Sequence, residues 1–167
     1  MEREKLIAAC GLYCGACEMY RAFQDNNEAK QQALIKEFNA RGGGKFTLKD
    51  LECDGCLAGG RLSPWCRECK IKSCARIKPG ETICSADCAD FPCQELTDFA
   101  KQMPHHEEVI DNLRRLGKVG LAKHAAAEEK RWLCPQCRMP MSWYYRKCPE
   151  CGAERSKELY KVPDNMF

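Results

Sequence analysis

Ten of the fifteen cysteines in this 167-residue chain form pairs separated by two residues: Cys14/Cys17, Cys53/Cys56, Cys66/Cys69, Cys134/Cys137 and Cys148/Cys151. A two-residue gap lets both sulfurs turn toward one ion, whereas a disulfide framework scatters its partners. The chemistry this pattern suggests is metal ligation by thiolates. Its clearest instance is Cys134-Pro-Gln-Cys137, ten intervening residues, then Cys148-Pro-Glu-Cys151-Gly152. That spacing predicts a C-terminal β-hairpin zinc ribbon. Each knuckle offers two thiolates to a tetrahedral ion with Zn–S bonds of about 2.3 Å, and Gly152 allows the tight turn after the last ligand.

Eleven more thiols lie between Cys10 and Cys93. Cys53, Cys56, Cys66 and Cys69 repeat the two-pair arrangement with nine residues between pairs, which predicts a second Cys₄ site. Cys74, Cys84, Cys88 and Cys93 are close enough along the chain to exchange partners with it. Cys10-Gly-Leu-Tyr-Cys14-Gly-Ala-Cys17 has a C-x3-C-x2-C spacing that resembles the [4Fe–4S] loop of radical S-adenosylmethionine enzymes. Those enzymes set the loop in a barrel of about 200 residues or more, and this chain has neither the length nor the strand–helix alternation. Two sets of four leave three thiols over, so one site takes a non-cysteine ligand or an open position, or some thiols stay free. Counting places Cys10, Cys14 and Cys17 at one centre with Cys93 as fourth ligand, and leaves Cys74, Cys84 and Cys88 as an incomplete trio. The expected cofactor is zinc, two or more ions, with an iron–sulfur cluster in the N-terminal domain as the alternative.

No other chemistry is advertised. Ser-His-Asp patterns, phosphate loops and paired-carboxylate signatures are missing from the sequence, which argues against an enzyme. His105, His106 and His124 have no cysteine near them and read as surface residues. Trp132, Trp143, Tyr144 and Tyr145 interleave with Arg138, Arg146 and Lys147. They offer either a stacking surface for nucleic acid or apolar cover for a small metal site.

The elements that must position these thiols are few. The composition is 44% hydrophobic and 31% charged with a mean hydropathy of −0.55, and no run approaches the ~18 apolar residues of a membrane span. The formal charge of +3 is no argument for nucleic acid, because each Cys₄ zinc site contributes a net −2 and three would invert the sign. Near the start only Leu6 to Ala9 are apolar, too few for the ~7–15 residues of a secretory core. The chain is therefore expected in the reducing cytoplasm, where dense cysteines bind metal.

Asn26 to Phe38 reads as a helix with Ala29, Ala33, Leu34 and Phe38 on one side and Gly42-Gly43-Gly44 as its stop. Thr47 and Asp50 form a capping box before Cys53. Gln94 to Met103 reads as a helix ended by Pro104. A second follows through Val109, Ile110, Leu113 and Leu116 to Gly117, with Asp111 and Arg115 paired, and a third spans Val119 to Lys130 with Glu128 to Arg131 as its solvated end. The predicted fold is small, α-rich, irregular and metal-stabilised. It comprises a cysteine-rich domain at 1–100, a helical arm at 101–131, the ribbon at 132–155 and a tail at 156–167.

The chain also resembles a prokaryotic cysteine-rich family, domain of unknown function three-seven-nine-five. The resemblance rests on Cys10-Gly-Leu-x-Cys14-x-x-Cys17, Cys53-Asp-Gly-Cys56, the run from Cys66 to Ala75, and Cys84 and Cys88 before Phe91-Pro92-Cys93. It extends through the arm to Trp132-x-Cys-Pro-x-Cys, where the ribbon is similar to rubredoxin and could take iron in the same geometry. Cys84 and Cys88 are separated by three residues where the family usually has two, and Arg138 stands where a ribbon commonly has glycine. The resemblance implies metal binding and no activity. Together these features suggest a non-enzymatic metal-binding adaptor that meets a protein partner. The alternatives are an iron–sulfur protein in electron transfer or redox sensing and a nucleic-acid-binding ribbon module.

Overall fold

A computed structural model describes residues 3–40, 45–77, 81–157, 159, 160 and 162. It is rich in helix: α1 is Glu18–Gln24, α2 Glu28–Ala40, α3 Leu48–Leu51, α4 Pro64–Arg67, α5 Gln94–Ala100, α6 Val109–Val119 and α7 Leu121–Arg131. Short 3₁₀ turns cover Arg3–Leu6, Cys14–Ala16 and Pro104–Glu108. Among the described residues there is no strand. The expected C-terminal hairpins appear instead as two turns, each closed by a single β-bridge, Leu133 to Pro140 and Lys147 to Glu154. No described helix is long and apolar enough to cross a membrane.

Helix α2 starts two residues later than expected, because Asn26 turns to φ +46° and the Asn27 side chain accepts the Lys30 N–H at 3.0 Å. Of its expected apolar side only Leu34 is buried and Phe38 half-buried, while Ala29 and Ala33 face solvent. The helix packs by one edge against α1 and α3. Its proposed glycine stop at 42–44 lies outside the described residues. The capping box at α3 forms as expected, with the Thr47 N–H donating to Asp50 Oδ2 at 2.9 Å.

The helical arm departs from expectation at three points. Helix α5 ends at Ala100, and a turn precedes Pro104, which opens the 3₁₀ segment as its first residue. Helix α6 runs through Gly117, since an interior glycine costs only about 1 kcal/mol, and stops at Gly120, whose φ of +80° suits a helix end. Asp111 pairs with Arg114 at 3.1 Å, and Arg115 reaches across to Glu128 of α7 at 3.1 Å.

The last turn of α7 is not a solvated end. Glu128 is 1% exposed, and its carboxylate accepts Arg115, Arg131 at 3.3 Å and Trp132 Nε1 at 3.2 Å. Arg131 also pairs with Glu108. This charged group is buried because its neighbours supply donors from three sides, which burial of a carboxylate requires.

The segment from Ile7 to Ala16 is buried throughout and sits between two apolar clusters. Ala9 and Leu12 pack with Leu96 of α5 and with Val109 and Leu113 of α6. Ile7, Tyr13 and Ala16 pack with Ala125, Trp132 and Met141. The turn at Gly11 makes this possible: φ is +82° and a Cβ there would meet the Leu113 side chain at 3.1 Å. The glycine of Cys10-Gly11-Leu12 is thus both a left-handed turn and a close approach to α6. A third cluster joins Met19 and Ala22 of α1 to Leu34 and Leu51.

Candidate metal centre

The four C-terminal cysteines converge. Cys134 Sγ lies 3.6 Å from Cys151 Sγ, and Cys137 Sγ lies 3.5 Å from Cys148 Sγ. All four sulfurs fall within 4.8 Å of one another. Four sulfurs around one ion at 2.3 Å stand about 3.8 Å apart in a regular tetrahedron, so this spacing fits a single tetrahedral metal. The donor set fits too, since four thiolates suit zinc or iron.

Each half of the site is built by the same local hydrogen bonds. In the first, the Cys134 N–H donates to Met139 O at 2.8 Å and the Arg138 N–H to Cys134 O at 3.1 Å. In the second, the Cys148 N–H donates to Ala153 O at 2.8 Å and the Gly152 N–H to Cys148 O at 2.9 Å. The first cysteine of each half is buried and the second exposed, so the site sits at the protein surface with one side sheltered. Burial raises the Cys134 thiol, but N–H donation from Cys137 and Gln136 and the neighbouring thiols outweigh it and bring the group down to about 6. Cys137 is pushed up to about 12: the Met139 N–H acts against the shift, and burial and the thiols of Cys148 and Cys151 drive it. An ion entering the site would have to displace the Cys137 proton as that thiolate forms.

The segment that carries the four cysteines is fixed to the opening motif. The Trp143 N–H and the Ser142 hydroxyl both donate to Ala16 O, at 2.9 and 3.2 Å. Trp143 stacks on His105 with ring centroids 4.0 Å apart, and the His105 Nδ1 meets the Tyr144 hydroxyl at 2.5 Å. His105 and His124 are buried at 7% and 0% exposure, and His106 is half-buried. The expectation of three surface histidines is therefore corrected: His105 and His106 stack on Trp143 and Phe99, and His124 is enclosed on the buried side of α7.

The eleven remaining thiols fall into two neighbourhoods. Among the described residues, none of them forms a group as tight as the C-terminal four. Cys10, Cys14, Cys17, Cys53, Cys56, Cys66 and Cys69 are close enough to influence one another electrostatically. Burial and then these neighbouring thiols raise Cys10 and Cys14, hold Cys17 at about 12 and hold Cys66 at about 11. Cys74, Cys84, Cys88 and Cys93 line a separate cavity of about 360 Å³. Counting gives Cys93 to the opening triplet; the structure sets Cys93 on the wall of this cavity beside Cys74, Cys84 and Cys88, and packs it against the cluster that holds Cys10 and Cys14.

The residues from the first buried segment through α5 match a family model described as Protein of unknown function (DUF3795), over residues 6–98. The chain belongs to this family. The match covers the seven-thiol neighbourhood and the four-thiol cavity and stops before the arm, so the C-terminal tetrad lies beyond it. The resemblance read along nearly the whole sequence is thus narrower as a family match. No curated protein and no solved structure matches the chain.

Proposed function

We propose that the protein is a non-enzymatic metal-binding adaptor whose residues 132–155 form a zinc ribbon on a helical arm at 101–131, carried by the cysteine-rich domain at 1–100. The observation that carries this reading is the convergence of Cys134, Cys137, Cys148 and Cys151 to sulfur spacings suited to one tetrahedral ion. A small surface site of this kind contributes folding energy rather than catalysis when all four positions are filled by protein. The half-exposed Cys137 and Cys151 edge and the absence of catalytic motifs support a role in binding a protein partner in the cytoplasm.

The aromatic residues favour this reading over nucleic-acid binding. Trp132 is 2% exposed and gives its Nε1 to Glu128, and Trp143 and Tyr144 are engaged with His105. A stacking platform needs free ring faces, and these faces are occupied within the protein. The test is metal content of the purified full chain. Cys148→Ala is expected to lose one ion per chain and the near-UV signal of Trp132 and Trp143, because structural zinc is worth on the order of 10 kcal/mol. Retention of that ion in Cys148→Ala and in Cys137→Ala would overturn the proposal.

A further inference from the structure

Cys74, Cys84, Cys88 and Cys93 differ from the other cysteines in spacing. None belongs to a two-residue pair: nine, three and four residues separate them. A two-residue knuckle delivers two sulfurs to one ion, whereas these wider gaps bring each sulfur in from its own turn. Cys74 and Cys88 each close a turn of their own, by the Cys74 N–H to Ile71 O at 3.3 Å and the Cys88 N–H to Ser85 O at 3.2 Å, and Cys84 is held across the fold by its N–H to Ala9 O at 2.8 Å. Cys93 precedes α5.

All four half-buried thiols border one cavity of about 360 Å³, whose other walls include the apolar side chains of Ile77 and Phe91. A single ion holding four sulfurs at about 2.3 Å would bring them to about 3.8 Å from one another, and among the described residues these sulfurs are not drawn together as they are at the C-terminal site. A ligand that spreads its four thiolates over four separate metal atoms, with inorganic sulfide filling the centre, matches both the spacing and the volume. The Cys84 sulfur accepts the Ser85 N–H and has Cys93, Cys74 and Cys88 as its thiol neighbours. Hydrogen bonds of that kind are how proteins tune such a group. Of the charged residues on the cavity wall, Arg76 pairs with Asp90 and Glu95 with Lys70, and Glu81 is exposed.

We propose that Cys74, Cys84, Cys88 and Cys93 are the ligands of a [4Fe–4S] cluster seated in this cavity, a site independent of the C-terminal tetrad and of the metal that tetrad holds. Four thiolates close the cluster, so the site suits electron storage or sensing rather than substrate binding at an open iron.

The full-length protein, purified anaerobically and reconstituted with ferrous iron and sulfide, tests this. Iron, acid-labile sulfide and zinc are counted in the same samples, with visible absorption as a second readout. The expected wild-type result is about four iron and four sulfide per chain with visible colour. Cys88→Ser and Cys74→Ser should lose the iron, sulfide and colour while keeping the zinc of the tetrad, which also shows that they fold. Cys148→Ser should do the reverse, losing zinc and keeping iron and sulfide. Zinc without labile sulfide in the cavity of the wild type, no iron uptake at all, or unchanged labile sulfide in both Cys88→Ser and Cys74→Ser would each overturn the assignment. A failure of the ribbon proposal would show instead as unchanged zinc in Cys148→Ser.

Discussion

Arg138 and Gly152 occupy the same position in the two halves of the C-terminal site, four residues after Cys134 and Cys148, and both are left-handed, with φ of +63° and +72°. Each donates its N–H back to the cysteine that opens its turn. One half thus carries a side chain in a conformation that only glycine adopts without steric cost. The strain of Arg138 persists because the turn closed by the Cys134 and Met139 carbonyls dictates the backbone there.

Replacing Arg138 by glycine should therefore stabilise the metal-loaded protein. Relief of the left-handed strain is worth about 1–2 kcal/mol, less the entropy glycine adds to the unfolded chain, for a net gain of about 0.5–1 kcal/mol. Gly152→Ala should lose about 1–2 kcal/mol. Urea midpoints of the two variants, with unchanged slopes, check both signs.

Glu128→Ala removes a buried carboxylate that holds Arg115, Arg131 and the Trp132 indole together. Arg131 keeps Glu108, and Arg115 is partly exposed, so the loss should fall near the low end for a broken buried pair, about 3 kcal/mol. Glu128→Gln should lose less, because an amide oxygen can still accept the Trp132 N–H. Thermal or urea unfolding separates the two.

Burial and then the neighbouring His106 hold His105 down at about 2 in the folded protein, against 6.5 in the unfolded chain. Its contribution to stability is complete above pH 6.5 and falls as the pH drops below it, because the unfolded chain gains a proton that the folded one refuses. The slope is about 1.4 kcal/mol per pH unit while only the unfolded form titrates. Unfolding measured from pH 7 to pH 5 should show this loss, and His105→Phe, which keeps a ring against Trp143, should lessen it, with His106 and His124, also held down by burial, keeping the rest.

Gly15 lies under the Tyr13 ring, and a Cβ added there would come within 2.5 Å of the phenolic oxygen. Tyr13 is buried and cannot swing clear without disturbing the cluster it shares with Ile7 and Trp132. Gly15→Ala should destabilise by about 1–3 kcal/mol, as overpacking does. A denaturation midpoint equal to that of the parent protein would contradict this packing.

What the sequence revealed was local. The capping box needs only Thr47 and Asp50, three residues apart, and the C-terminal tetrad needs only two knuckles and the span between them. Short-range geometry decides both. The misplaced features depend on contacts across the fold. Arg115 looked suited to Asp111 until α7 brought a buried carboxylate closer, and the histidines looked exposed because nothing nearby in sequence covers them. The grouping of Cys74, Cys84, Cys88 and Cys93 around one cavity was equally hidden, since Cys84 is held by Ala9 across the fold. Helix ends failed for a different reason: Gly117 and Gly120 are both plausible stops, and only the backbone angle distinguishes them.

The two hydrogen bonds that end on Ala16 O span 126 residues for Ser142 and a similar distance for Trp143. During synthesis at about 5–20 residues per second, the opening Cys10 to Cys17 motif waits on the order of 10 s before the segment that covers it is made. Its thiols are thus open to solvent and to any oxidant while the rest of the chain emerges. Assembly of the buried interior is consequently tied to translation through residues 132–160. A cell that makes this protein needs its reducing power at the ribosome, before the fold can shield these thiols.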